Sequence, residues 1–205
     1  MKTMRTMKKI RFSVRELKDL AKAWFAISLA FAIAGTGLNF PALIISAIVS
    51  ALVVGTAFLF HELAHKFLAQ RYGCWAEFRS FDNMLLLALF MSLLGFVFAA
   101  PGAVFISGHV TRKQNGKISA AGTFVNLVLA FLFLIILLIL PTMNINVTMI
   151  KTIAHYGFWV NSFLAFFNLL PFGMFDGLKV MHWNKLVYGI MIVVSVIFLI
   201  ASMAI

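Results

Sequence analysis

Apolar side chains fill this chain in runs too long and too unbroken for one face of a soluble helix. The first runs from about Leu20 to Ala34 and ends in a Gly35-Thr36-Gly37 turn. Pro41 opens a second helix, uncharged up to Phe60, with His61 near its far end. A basic stretch with Lys66, Arg71 and Arg79 follows. The next apolar run, Met84–Ile106, is broken at Ala100-Pro101-Gly102 and leads into Gly108-His109 and a polar loop, Thr111–Lys117. Further spans are expected from Ala120 to Leu140, stopped by Pro141, from about Ile153 to Phe175, and from Leu186 to Ile205. The pattern predicts an all-α integral membrane protein, a bundle of five to six transmembrane helices.

Lys and Arg distinguish the alternatives. The stretches 1–22, 66–82, 107–117 and 179–185 are basic, whereas 35–40 and 141–150 carry neither residue. If each apolar run crossed once, 107–117 would fall on the side opposite the other basic stretches. If Met84–Ile106 enters and leaves on one side, all four face the cytoplasm, as the positive-inside rule prefers. This reading has five crossings, a re-entrant segment with strand character at Ala103–Ile106, and a cytoplasmic N-terminus. Six crossings is the alternative. Irregular backbone at that depth requires protein or a cavity around it.

At 205 residues and 63% hydrophobic, with mean hydropathy +1.03, the chain is expected to form a single polytopic domain over 1–205 with no appended soluble module. The net charge of +11 lies mostly beside apolar spans, which points to a lipid bilayer rather than nucleic acid. One cysteine, Cys74, excludes an internal disulfide and a thiolate metal cluster. Residues 1–22 form a basic amphipathic N-terminal segment rather than a cleaved signal peptide, and Ser13-Val14-Arg15-Glu16 reads as a capping box. Phe12, Leu17 and Leu20 could rest on the membrane surface while Lys8, Lys9, Arg11, Arg15 and Lys18 meet anionic headgroups; the other reading is a solvated lead-in that only sets orientation.

Against this apolar background, His61-Glu62-Leu63-Ala64-His65 stands out. Ionisable groups at membrane depth cost roughly 2.5–3.5 kcal/mol each, so three together need a compensating interaction. Histidines four apart share a helix face and can grip one ion, with the intervening glutamate placed to act as general base. From the composition, chance would supply about 0.002 such motifs, so the pattern is not accidental. Two histidines leave a catalytic metal short of one protein ligand. Glu16, Asp19, Glu77 and Asp82 lie in or beside basic polar stretches, whereas Asp176 ends an apolar run. A cation there is its cheapest partner, and an interfacial bridge to Lys179 is the alternative. From His65 to Arg71 is about 9 Å of helix, which places the metal inside the membrane but nearer the cytoplasmic face. Asn126, an amide in an apolar helix, must also be bonded; a helix–helix hydrogen bond would satisfy it.

His61 to His65, Gly122-Thr123-Phe124-Val125-Asn126, and Asn168-Leu169-Leu170-Pro171 through Asp176-Gly177 resemble the three motifs of the site-2 protease family of intramembrane zinc metalloproteases, in that family's order. The resemblance covers a catalytic core of about 41–180. It implies one zinc ion per chain held by His61, His65 and Asp176, with Glu62 activating water. It also implies Asn126 near the substrate or developing oxyanion, and Asn168 and Pro171 bending the aspartate helix and binding unwound substrate. Gly122, four residues before Asn126 on the same helix face, would let another backbone approach closely, which suits either packing or an incoming substrate strand. The implied partners are transmembrane-helix protein substrates. The chain departs from the family pattern at Ala121-Gly122-Thr123, where Ala-Gly-Pro is usual, and in its long apolar stretch Met84–Phe98.

Residues and resemblance together point to an intramembrane zinc metalloendopeptidase in a cell membrane. A membrane metal transporter gains nothing from a base between the histidines. A catalytically silent adaptor would not need His61, Glu62, His65 and Asp176 intact. A membrane zincin whose third ligand is a glutamate on a later helix is excluded, because no Glu follows Glu77.

Overall fold

The computed structural model describes residues 10–97, 100–142, 148–173 and 175–205, so Lys8, Lys9 and Phe98 of the sequence reading lie outside the described residues. Helix α1 (Val14–Thr36) begins where the Ser13 side chain accepts the Glu16 backbone N–H at 3.1 Å, and ends at Gly37 with φ +61°. Asn39 caps α2 (Phe40–Ser50), with Pro41 in its first turn. One π-helical turn, Ala51–Gly55, joins α2 to α3 (Thr56–Arg71), making a continuous helix Phe40–Arg71. Trp24 of α1 lies against this turn, its indole N–H donating to Ala51 O at 3.1 Å. A Cβ on Gly55 would come within 2.1 Å of that indole nitrogen. Trp24 is therefore a helix-packing residue, supplying the donor at the π turn and filling the room that Gly55 leaves.

The stretch between α3 and the next helix is not a plain basic loop. Trp75–Ser80 forms strand β1, antiparallel to β2 (Gly102–Ser107), with Trp75 opposite Ser107 and Ser80 opposite Gly102. The strand expected at Ala103–Ile106 is thus present, but it has a partner, so the fold is mostly helical with a two-stranded sheet rather than all-α. Between the strands lies α4 (Asp82–Ser92), too short to span a bilayer. Phe81 N–H donates to Pro101 O at 3.1 Å, so the chain leaves the sheet after β1 and rejoins it before β2 at the same place.

Thr111 caps α5 (Arg112–Ile139) in a complete capping box with Gln114, which converts the expected polar loop Thr111–Lys117 into the helix's first turns. The span expected to reach Phe175 ends earlier: α6 (Thr148–Asn168) stops before Pro171, whose ring cannot continue it. The chain turns and restarts as α7 (Asp176–Trp183), then α8 (Lys185–Ala204), capped by Asn184. Among the described residues three helices, Phe40–Arg71, Arg112–Ile139 and Lys185–Ala204, are long and apolar enough to cross a membrane. Helix interfaces use small residues, with Ala23, Ala30, Ala57, Ala130 and Ala165 fully buried, while Ile48, Leu52, Phe131, Leu138 and Ile197 face outward. That inversion is what a lipid solvent selects, since close backbone approach replaces the hydrophobic drive between helices.

Glu16 and Lys66 belong to stretches that are basic and polar in sequence, yet their side chains are 0% and 1% exposed. Lys66 Nζ sits 2.5 Å from Glu16 Oε2 and 3.2 Å from Ala76 O, and lies 4.2 Å from the Phe12 ring centroid. Glu16 Oε1 accepts the Phe78 N–H at 2.9 Å. This single ion pair ties α1, α3 and β1 together immediately after His65. Breaking a buried pair strands the remaining charge, at a cost of roughly 3–5 kcal/mol, whereas replacing both partners by apolar groups costs far less. Glu16→Gln is therefore expected to lower the melting temperature by several degrees, with Glu16→Leu/Lys66→Met less affected than Glu16→Gln. A Glu16→Gln protein that melts with the native one would remove the pair from the stability of the fold.

Candidate metal centre

Helix α3 projects His61 and His65 from one face because residues four apart lie one turn above each other. Helix α5 crosses that face at Gly122, where an added Cβ would lie 2.4 Å from His65 Nε2 and 2.8 Å from His61 Nε2. Helix α7 brings Asp176 as its first residue. The next residue, Gly177, presses on the end of α6, since a Cβ there would sit 2.1 Å from Leu169 O. The result is a buried triangle. His61 Nε2 and His65 Nε2 are 3.0 Å apart, and Asp176 Oδ2 lies 3.3 Å from the first and 3.0 Å from the second. Lys179 Nζ approaches the other carboxylate oxygen at 3.7 Å, so the bridge expected as the alternative forms on the side of Asp176 away from the histidines.

The far side of each imidazole fixes what the triangle can hold. His65 Nδ1 lies 2.7 Å from Ile118 O, a carbonyl that can only accept, so Nδ1 carries the proton. His61 Nδ1 lies 2.6 Å from Asn126 Oδ1. Asn126 donates its amide hydrogens to Ala57 O at 3.3 Å and Asn161 Oδ1 at 3.1 Å, which identifies the atom facing His61 as the oxygen. With its proton on Nδ1, each imidazole in its neutral form presents an Nε2 lone pair to the other and to a carboxylate. Three acceptors at this separation repel unless a cation lies among them. Two nitrogens and one oxygen form a catalytic zinc donor set that leaves a coordination position open. Tetrahedral ligands at zinc distances lie roughly 3.3 Å from one another, close to the separations here. The residues fit zinc, and the missing Cβ of Gly122 keeps the space beside the nitrogens clear.

The other sequence candidates are distributed around this centre. Glu62 lines two cavities that meet at His61, Gly102 and Asn168. Asn168, at the end of α6, lines both and donates to Leu164 O at 3.0 Å. Gly122, expected to admit either close packing or a substrate strand, faces the ligand nitrogens. Pro171 is exposed in the turn before α7 and lines neither cavity. Asn126 is 0% exposed with both amide hydrogens engaged, so it has no donor left for an oxyanion. Asn161, not among the residues singled out by sequence, is buried against Asn126, and an amide inside an apolar helix is itself a signal.

Over 182 residues the chain is 41% identical to a Methanocaldococcus jannaschii protein named "putative zinc metalloprotease", an alignment covering 88% of this chain and 90% of the other. No family model matches, and no solved structure matches.

Gly122→Ala tests the centre directly. Alanine favours a helix interior by up to about 1 kcal/mol over glycine, so helix propensity opposes any loss. The methyl group would nevertheless overlap both ligand nitrogens. Elemental analysis of purified Gly122→Ala should show zinc well below the native stoichiometry. A full complement of zinc in that variant would sink the placement of α5 against the histidines.

Proposed function

The chain belongs to the zinc metalloprotease family of its Methanocaldococcus jannaschii relative, and from that premise we propose that it is an intramembrane endopeptidase of the site-2 protease type. It cuts peptide bonds in or next to transmembrane helices of membrane-protein substrates. The observation that carries this reading is the position of Glu62 between the metal ligands, in a cleft bordered by β2.

Bound zinc supplies Lewis acidity, making water a better acid and a carbonyl a better electrophile. Glu62 accepts the proton of the attacking water as its oxygen bonds to the scissile carbonyl carbon. It then delivers that proton to the amide nitrogen as the C–N bond breaks. On one side of Glu62 the cavity is about 130 Å³ and carries Asn115, Ser119, Asn168 and Lys179. On the other it is about 120 Å³ and lined by aromatic rings, among them Phe31, Phe58, Phe163 and Phe167. A helical substrate hides its carbonyls in hydrogen bonds and must unwind before attack. β2 is paired on one edge only among the described residues, and Gly102, Ala103, Val104 and Ile106 line the cleft. Strand addition there would hold the unwound segment extended.

Five crossings, α1, α2–α3, α5, α6 and α8, with residues 82–101 re-entrant, place Arg71, Arg79, Lys113, Lys117 and Lys185 on one side with the N-terminus. The positive-inside rule makes that side cytoplasmic. The return of residues 82–101 to one sheet supports this reading over six crossings.

Glu62→Gln should keep native zinc and lose roughly 10²–10⁴ in cleavage of a transmembrane substrate reconstituted in liposomes. Near-native cleavage would overturn the role of Glu62, and zinc flux across the vesicle would favour a transporter. In a Cys74→Ser background, Lys113→Cys should react only with thiol reagents that reach the cytoplasmic face. Labelling from outside would restore the sixth crossing.

A further inference from the structure

His65 and His61 are held in different ways. The His65 Nδ1–H meets the backbone at Ile118 O. The His61 Nδ1–H meets only a side chain, Asn126 Oδ1, and an amide can be turned either way. Turned over, Asn126 would present N–H to Nδ1. His61 would then have to carry its proton on Nε2, aimed at the centre, and that nitrogen could not ligate a metal. What fixes the amide is therefore what fixes the ligand.

Two acceptors surround Asn126 Nδ2. One is Ala57 O on α3 at 3.3 Å; the other is Asn161 Oδ1 on α6 at 3.1 Å. Asn161 is itself an amide, 1% exposed, and its orientation is set by Nδ2 donating to Gly157 O at 2.9 Å. A backbone carbonyl cannot reverse its role. The polarity therefore runs one way, from Gly157 O through Asn161 and Asn126 to His61, and ends in an Nε2 lone pair at the metal position. The chain spans α6, α5 and α3, and each amide in it is buried.

We propose that Asn161 is a positioning residue for the metal centre, acting through Asn126 to hold His61 in the tautomer and ring orientation that binds zinc. The simpler role for Asn161, a helix–helix hydrogen bond, predicts lower stability with an unaltered metal site. Loss of a group that orients a ligand histidine weakens metal binding about 10–100-fold. Because Asn161 acts through Asn126, the two losses must not add.

The test uses the full chain in detergent, stripped of metal, with zinc affinity measured by competition against a chelator. Asn161→Ala and Asn126→Ala are each expected to bind zinc about 10–100-fold more weakly. The double variant should bind no more weakly than Asn126→Ala. Loading with Co²⁺ should give an altered visible spectrum in all three. Ser162→Ala removes a neighbouring buried group that donates to Phe158 O, and should leave affinity and spectrum native. If Asn161→Ala does not fold, Asn161→Thr, too short to reach Asn126, takes its place in every comparison. Native zinc affinity and cobalt spectrum in a folded Asn161 variant, or losses that add in the double variant, would overturn the proposal. These readouts do not involve cleavage, so the inference stands or falls apart from the proteolytic reading.

Discussion

Three electron-pair donors crowded into a buried triangle form the constraint on which the rest of this structure depends. The nitrogens of His61 and His65 and one oxygen of Asp176 stand 3.0–3.3 Å apart. Without a cation, such a group is repulsive and poorly solvated. Several otherwise unrelated features serve it. Gly122 and Gly177 let α5 and α7 approach as closely as they do. Carbonyl acceptors behind the imidazoles turn the lone pairs inward. The turn after Asn168 breaks the helix so that Asp176 can enter from a new direction.

An apolar environment explains why polarity is concentrated inside. Water is not available at depth to satisfy an amide or an ammonium, so each buried polar group must find a protein partner. The Glu16–Lys66 pair and the two-asparagine chain meet this need in different ways. The first joins an ion pair to backbone N–H and C=O groups. The second is neutral and ends on backbone carbonyls. The first begins at Lys66, next to His65 in the chain, and the second reaches His61. Together they hold α3 to α1 and the sheet, and to α5 and α6, so the helix bearing the ligands is anchored in both directions.

The β1–α4–β2 unit gives the centre its cleft. β1 is held by Glu16 and Lys66, and β2 is paired to β1, so the position of the cleft wall depends on a charge pair one residue beyond His65. A helix alone could not offer this wall, because its backbone donors and acceptors are used internally. A strand with one edge open can.

The sequence by itself determined whatever is decided within a turn or two of chain. Long apolar runs specify helices, Ser13 and Pro41 mark helix starts, and the spacing of His61 and His65 places two ligands on one face. The isolation of Asp176 in apolar sequence singled it out as a ligand candidate. Tertiary structure decided what depends on which faces meet. Trp75–Ser80 carries no strong strand signal and becomes a strand only through pairing with Gly102–Ser107. Glu16 and Lys66 have the composition of a solvated basic stretch, and only the packing of α1 on α3 buries them. Asn126 had to be bonded somewhere, yet nothing local shows whether its amide turns to a substrate or to His61. That choice rests on Ala57 and Asn161, 69 and 35 residues away, whose acceptors come within reach only after three helices have packed.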